Sequence, residues 1–122
     1  MLLLCGKEMD KENKIKKRKQ FNFIFGHGEA VHSKTLTLVF TKAKNKTYKV
    51  GFSASKKIGN SVVRNRARRR MREAARKNEQ FFNKNLCYIF VAKEAVVSAE
   101  FETIVNDIQF LINKANLKVQ EK

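Results

Sequence analysis

The chain is 122 residues long, and its 27 Lys and Arg against 11 Asp and Glu give a formal net charge of +16. Hydrophobic residues make up 43% of it, which is too apolar for a disordered basic tail and suits one domain with a modest core. The longest apolar run, residues 86–92, is far shorter than the roughly 20 residues that a membrane-spanning helix needs. This composition argues against a membrane partner and favours a nucleic acid.

The N-terminal segment and the two cysteines predict a cytoplasmic protein. No basic residue precedes the leucines at positions 2–4, and Leu4 stands where an exported lipoprotein needs a small residue before the cysteine. Cys5 and Cys87 are too few for a disulfide framework. We expect a tail over residues 1–10, one folded domain over 11–118, and a short C-terminal tail over 119–122.

In the first half of the chain, the pattern predicts a helix followed by strands. Residues 11–25 have Phe21, Ile24 and Phe25 at the i, i+3, i+4 spacing of a helix, with glycines directly after them. Residues 36–40 and 48–54 are rich in β-branched and aromatic side chains, and the segment 44–46 between them predicts a turn. The interpretation is a β-hairpin, with room for a short extra strand near residues 30–32.

The second half predicts a helix, a strand and a final helix. Asn60 or Ser61 can cap a helix that runs to about residue 78, and residues 86–92 form a short buried strand. The last helix is expected to begin at Ser98 as its N-cap, with Glu100 in its first turn. Its apolar stripe has the helical period: Phe101, Ile104, Val105, Ile108, Leu111, Ile112 and Ala115. This order predicts a two-layer α/β domain.

The positive charge is concentrated in residues 55–77, which carry ten Lys and Arg and one Glu, a net +9. On the predicted helix, Val63, Ala67, Met71 and Ala74 share one face. The arginines on the opposite side are Arg68, Arg69, Arg72 and Arg76. An ordinary solvated face mixes signs, whereas seven arginines from Arg64 to Arg76 are joined by Glu73 alone. Guanidinium groups on a rigid helix suit phosphate oxygens and can also stack on bases, so we predict a nucleic-acid interface.

Structured RNA is favoured over DNA because no helix-turn-helix, zinc-finger or zipper spacing is present. Phe21, Phe23 and Phe25 follow the basic run 16–19, where aromatic rings could stack on unpaired bases. For Phe21 and Phe25, contact with the sheet is an equally good interpretation.

The residue pattern offers no catalytic or metal site. His27 and His32 are the only histidines and lie on either side of a glycine, and the acidic residues of the basic half are isolated. Cys87 lies within an apolar strand, where a small buried side chain is the default expectation.

The segment from Phe52 through Lys56-Lys57-Ile58-Gly59-Asn60 and Arg64-Asn65-Arg66 to Ala74 resembles the signature of the bacterial ribonuclease P protein family. Flanking matches are Phe21-x-x-Ile24-Phe25, His27-Gly28 and the run from Tyr88 to Lys93. The resemblance extends from about Lys14 to Leu117.

This resemblance implies an α/β sandwich with the element order αβββαβα and a left-handed strand–helix–strand crossover, an exception to the usual hand. It also implies a protein subunit that binds a catalytic RNA and the 5′ leader of precursor tRNA and supports removal of that leader. The catalytic groups and the required Mg²⁺ would then belong to the RNA, with no cofactor on this chain and no obligate protein partner. The residues alone leave a second interpretation open, a structural RNA-binding protein such as a ribosomal protein.

The resemblance also implies site residues. Those expected to contact the RNA subunit are Lys56, Lys57, Arg64, Asn65, Arg66 and Arg69. Those expected to contact the leader are Phe21, Phe25, Asn65, Arg68, Arg72 and Lys93.

Two positions depart from the family pattern. Val39 falls where an aromatic residue is common, with Phe40 beside it, so one stacking contact depends on the strand register. Arg70 occupies a usually apolar position. Its side chain must either bend outwards across the edge of the core or enlarge the RNA-binding surface.

Overall fold

The computed structural model describes residues 18–43 and 48–120 of the chain. The elements follow the predicted order αβββαβα, with two short 3₁₀ helices, Glu79–Phe81 and Glu94–Val96, on either side of the last strand. They are α1 (Arg18–His27), β1 (Glu29–His32), β2 (Leu36–Lys42), β3 (Lys49–Ser53), α2 (Ser61–Lys77), β4 (Leu86–Ala92) and α3 (Phe101–Gln120). None of the helices within the described ranges is long and apolar enough to span a membrane.

The four strands form one sheet in the order β1-β2-β4-β3. β4 pairs antiparallel with β2 and parallel with β3, so the predicted hairpin between residues 36–40 and 48–54 is wrong. All residues of β4 except Val91 are buried, and a strand covered on both faces belongs in the middle of a sheet. The hairpin that does form joins β1 to β2, where the Ser33 amide donates to the Leu36 carbonyl at 2.8 Å. The turn predicted at 44–46 lies outside the described residues.

The main core lies between one face of the sheet and the helices α2 and α3. Leu36, Leu38 and Phe40 of β2 point into it, as do Tyr88 and Phe90 of β4. The predicted stripe of the last helix is confirmed, since these members are fully buried: Ile104, Ile108, Leu111, Ile112 and Ala115. The small face of α2 is confirmed for Ala67, Met71 and Ala74, whereas Val63 is half-buried and Ala75 joins the buried face.

A second, smaller core lies under α1 on the opposite face of the sheet. Ile24 is 1% exposed and contacts a cluster that contains Val39, Cys87 and Ile89. Gly28 makes the tight connection from α1 to β1. A Cβ there would lie 2.7 Å from the carbonyl oxygens of both Ile24 and Phe40, so a side chain does not fit.

The helix boundaries differ from the sequence predictions at two places. The last helix begins at Phe101 and not directly after Ser98. Residues 94–96 form a 3₁₀ turn, and the Ile104 amide donates to the Glu100 carbonyl, so Glu100 and not Ser98 directly precedes the helix. The first helix extends to His27, and the part of its predicted range before Arg18 lies outside the described residues. The hand of the β3–α2–β4 crossover stays a prediction.

Candidate nucleic-acid interface

The arginine-rich helix α2 has a well-defined start. The Asn60 side chain accepts a hydrogen bond from the Val63 amide at 3.0 Å, which confirms its predicted capping role. Gly59 before it has a φ of +153°, a conformation that favours glycine. Lys56 and Lys57 are exposed in the preceding turn. They therefore add two positive charges in the segment before the N-terminus of α2, where the helix dipole is also positive.

One edge of α2 lies beside β3 and carries Arg64, Arg68 and Arg72 at successive helical turns. All three are half-buried. The Arg68 guanidinium donates to the Asn65 side-chain oxygen, and the Arg72 guanidinium lies 5.9 Å from the centre of the Phe52 ring. These contacts orient the Arg68 and Arg72 side chains before any ligand binds. Less side-chain conformational entropy is therefore lost on binding.

The outward face of α2 carries the exposed side chains of Asn65, Arg66, Arg69 and Arg76. Within the described ranges, no hydrogen bond or ion pair holds these three arginines. They present donors on one side of a rigid helix, with Arg66 and Arg69 one turn apart and Arg76 two turns further on, and an extended phosphate backbone can bind such a row.

The other edge of α2 faces α3 and includes Arg70. The Arg70 guanidinium donates to the carbonyl oxygens of Val96 at 3.2 Å and Ala99 at 2.5 Å. Its side chain therefore bends out of the core, and it fastens α2 to the turn before α3 instead of enlarging the exposed arginine surface. Lys77 on the same edge lies 5.9 Å from the Phe101 ring.

The aromatic residues of α1 divide between the core and the surface. Phe21 is half-buried against the small core, whereas Phe25 is 42% exposed, and their ring centres lie 5.0 Å apart. The register question at β2 is settled. Val39 faces α1 and Phe40 is buried on the opposite face, so the usual aromatic is absent from the α1 side of this strand.

Lys93 follows β4, and both its side chain and its backbone amide are hydrogen-bonded within the fold. Its ammonium donates to the Ser33 carbonyl at 2.7 Å, and its amide donates to the Thr35 carbonyl at 3.0 Å. These bonds tie the end of β4 to the β1–β2 turn, and the remaining ammonium hydrogens are the only ones it could offer a ligand.

The two histidines and Cys87 lie outside the arginine surface, and each contacts other parts of the fold. His27 contacts the Phe23 carbonyl at 3.0 Å, and His32 contacts the Thr37 hydroxyl at 3.1 Å. Burial raises the pKa of the Cys87 thiol, which keeps it in the unreactive neutral form. No group of three or more His, Cys, Asp or Glu among the described residues could hold a metal ion.

The fold and this surface define a class: a small α+β domain whose arginine-rich helix presents a row of exposed cations to a polyanion. The family model described as Ribonuclease P matches residues 9–116. The ribonuclease P protein component of Thermoanaerobacter sp. strain X514 is 36% identical over 85% of this chain and 90% of its own length. That of Clostridium botulinum strain Langeland is 32% identical over 88% of this chain and 97% of its own length.

Solved structures agree with these sequence matches. The Staphylococcus aureus RNase P protein superposes with a TM-score of 0.75 at 25% identity, covering 84% of this chain and 94% of that one. The Thermotoga maritima RNase P protein superposes with a TM-score of 0.75 at 20% identity and supports the fold alone. The chain belongs to the ribonuclease P protein family, which confirms the resemblance seen in the sequence. It is a protein subunit that partners ribonuclease P RNA in a tRNA-processing endoribonuclease complex.

Proposed function

We propose that this protein binds the catalytic RNA and the 5′ leader of precursor tRNA, and that it supports removal of the leader without breaking the bond itself. The observation that carries this proposal is that α2 packs one face into the core and exposes a row of arginines that have no partner among the described residues. A helix held rigidly by its small apolar face can offer those cations to RNA without reorganising.

The site residues divide between the two RNAs. For the catalytic RNA we propose the turn and the arginine-rich helix start, formed by Lys56, Lys57, Arg64, Asn65, Arg66 and Arg69. For the leader we propose Asn65, Arg68 and Arg72 of α2, Phe21 and Phe25 of α1, and Lys93 after β4. The exposed ring of Phe25 can stack on a base, and Phe21 supports it from the small core.

The mechanism is electrostatic. Cations placed between two RNAs screen the phosphate repulsion that opposes their association, so the protein tightens binding of leader-bearing substrate over leader-free product. The same screening lowers the concentration of Mg²⁺ that the RNA needs for folding and turnover. We assign the reacting groups and the Mg²⁺ to the RNA.

A precursor-tRNA cleavage assay at low Mg²⁺ tests the proposal. The reaction contains a bacterial catalytic RNA alone, this protein alone, or both together. We expect cleavage in the mixture only, with release of an intact 5′ leader. Cleavage by the protein alone would place catalytic groups in this chain, and a mixture no faster than RNA alone would refute the subunit role.

A further inference from the structure

The helix α1 carries two aromatic pairs, one on each side of its buried residue Ile24. With about 100° of rotation per residue, Phe21 and Phe25 lie on one side of Ile24, and Phe23 and His27 lie on the other. The first pair belongs to the proposed leader site. The second pair lies outside the proposed leader site and points away from the core that holds Ile24.

The Phe23 and His27 rings form a pre-arranged stack. Their centres are 4.2 Å apart and their planes differ by 19°, close to parallel. The Phe23 side chain is 46% exposed, and His27 is also exposed. The His27 ring is held in place by its 3.0 Å contact with the Phe23 carbonyl, so the stack does not have to form when a ligand binds.

A cation lies on the same edge of the helix. Lys19 is exposed and precedes Phe23 by four residues, which places the two side chains on neighbouring turns. Lys19 ends a basic segment, residues 14–19, that contains five Lys and Arg and no acidic residue. This edge therefore combines an exposed aromatic face with positive charge, the pair of features that binds unpaired nucleotides.

We propose that Lys19, Phe23 and His27 form a second nucleotide-binding site, at which an unpaired base stacks on Phe23 while Lys19 binds its phosphate. This inference rests on the proposed function, since it adds an RNA contact to the same subunit. The ligand is an unpaired nucleotide that either the leader or a single-stranded segment of the catalytic RNA can supply.

The chain offers a matched control on α3. Phe110 is 52% exposed, with the Lys114 ammonium 5.3 Å from its ring centre. Its surroundings differ in charge, because residues 86–122 carry four Lys against five Asp and Glu, a net −1. An exposed Phe beside a Lys is therefore present in both places, but only Phe23 follows a strongly basic segment of the sequence.

Fluorescence can locate the contact because the chain contains no Trp. Phe23→Trp and Phe110→Trp each introduce a single reporter, and stacking on a base quenches Trp emission. Each variant is titrated first with catalytic RNA, and the resulting holoenzyme is then titrated with precursor tRNA or with leaderless tRNA. We expect quenching of the Phe23→Trp signal only.

Quenching in the first titration assigns the nucleotide to the catalytic RNA, and quenching by precursor but not by leaderless tRNA assigns it to the leader. No quenching in either titration, or equal quenching at both positions, overturns the proposal.

Affinity provides the second readout, measured in the step at which the Phe23→Trp emission is quenched. Removing one base stack weakens binding by about 5- to 150-fold, so Phe23→Ala should lose that much while Phe23→Tyr keeps the wild-type affinity. Phe23→Leu keeps an apolar side chain without a ring and should behave like Phe23→Ala. Wild-type affinity in Phe23→Ala or Phe23→Leu overturns the stacking site alone. Failure of the unsubstituted protein to assist the catalytic RNA refutes the proposed function instead.

Discussion

At the scale of single residues, position on the helix decides what an arginine of α2 does. Arg69 faces outwards and has no partner in the described parts of the chain, whereas Arg70, one residue later, is turned through about 100° and bonds two carbonyl groups of the turn before α3. Neighbouring residues of the same type therefore divide between the proposed RNA-binding surface and the stability of the fold.

Arg70→Ala should lower the free energy of unfolding by about 1–3 kcal/mol, because it removes hydrogen bonds from a charged donor and leaves their acceptors unpaired. Arg69→Ala should change it by no more than about 0.5 kcal/mol. Urea denaturation of the two variants measures the difference. We expect the opposite order for affinity to the catalytic RNA, with Arg69→Ala weaker, and equal stability of the two variants would contradict the role given to Arg70.

At the scale of elements, the site depends on how α2 is anchored. The Asn60 cap starts the helix, its small residues hold it against the core, and the Asn78 side chain bonds the carbonyl groups of Ala74 and Val105 near its end. Because both ends are fixed, the exposed arginines keep their spacing along the helix.

Arg64→Ala combined with Arg66→Ala should weaken assembly with the catalytic RNA by about tenfold or more, since each lost charged contact to RNA is worth on the order of 1 kcal/mol. The variant should fold normally, which circular dichroism can check. A charge-matched control, Lys84→Ala with Lys114→Ala, removes two exposed cations elsewhere and should leave assembly within about twofold. Equal losses in the two double variants would mean that only net charge matters.

At the scale of the whole molecule, the charge is asymmetric. Residues 55–77 carry +9, whereas residues 86–122, which include most of α3, carry −1. Such a molecule presents one cationic side to RNA, and counterions leave the RNA when that side binds.

The salt dependence of binding measures how many phosphates are engaged. If the protein contacts about five phosphates, the logarithm of its association constant with the RNA should fall against the logarithm of salt concentration with a slope of about −3.5 to −4.5. The Arg64→Ala and Arg66→Ala double variant should reduce the magnitude of that slope by about 1 to 2. A slope near zero for the unsubstituted protein would refute the electrostatic mechanism.

The sequence by itself determined the elements and the chemistry of α2. Periodic apolar residues fix which face of a helix is buried, and so the stripe of α3 and most of the small face of α2 follow from the sequence, which also offers Asn60 as one of two capping residues. The unusual density of arginine and the motif around Arg64-Asn65-Arg66 were enough to indicate the family.

Only the tertiary structure decided which strands pair and which side chains remain exposed. Residues 36–40 and 48–54 have the local pattern of a hairpin, yet β4 separates them, because strand pairing depends on burying the most apolar strand rather than on neighbouring turns. Packing of α1 against the sheet put Val39 in the small core and left Phe40 in the main one, and contacts distant in sequence gave Arg70 its partners. These outcomes depend on packing between elements, which a local sequence pattern does not encode.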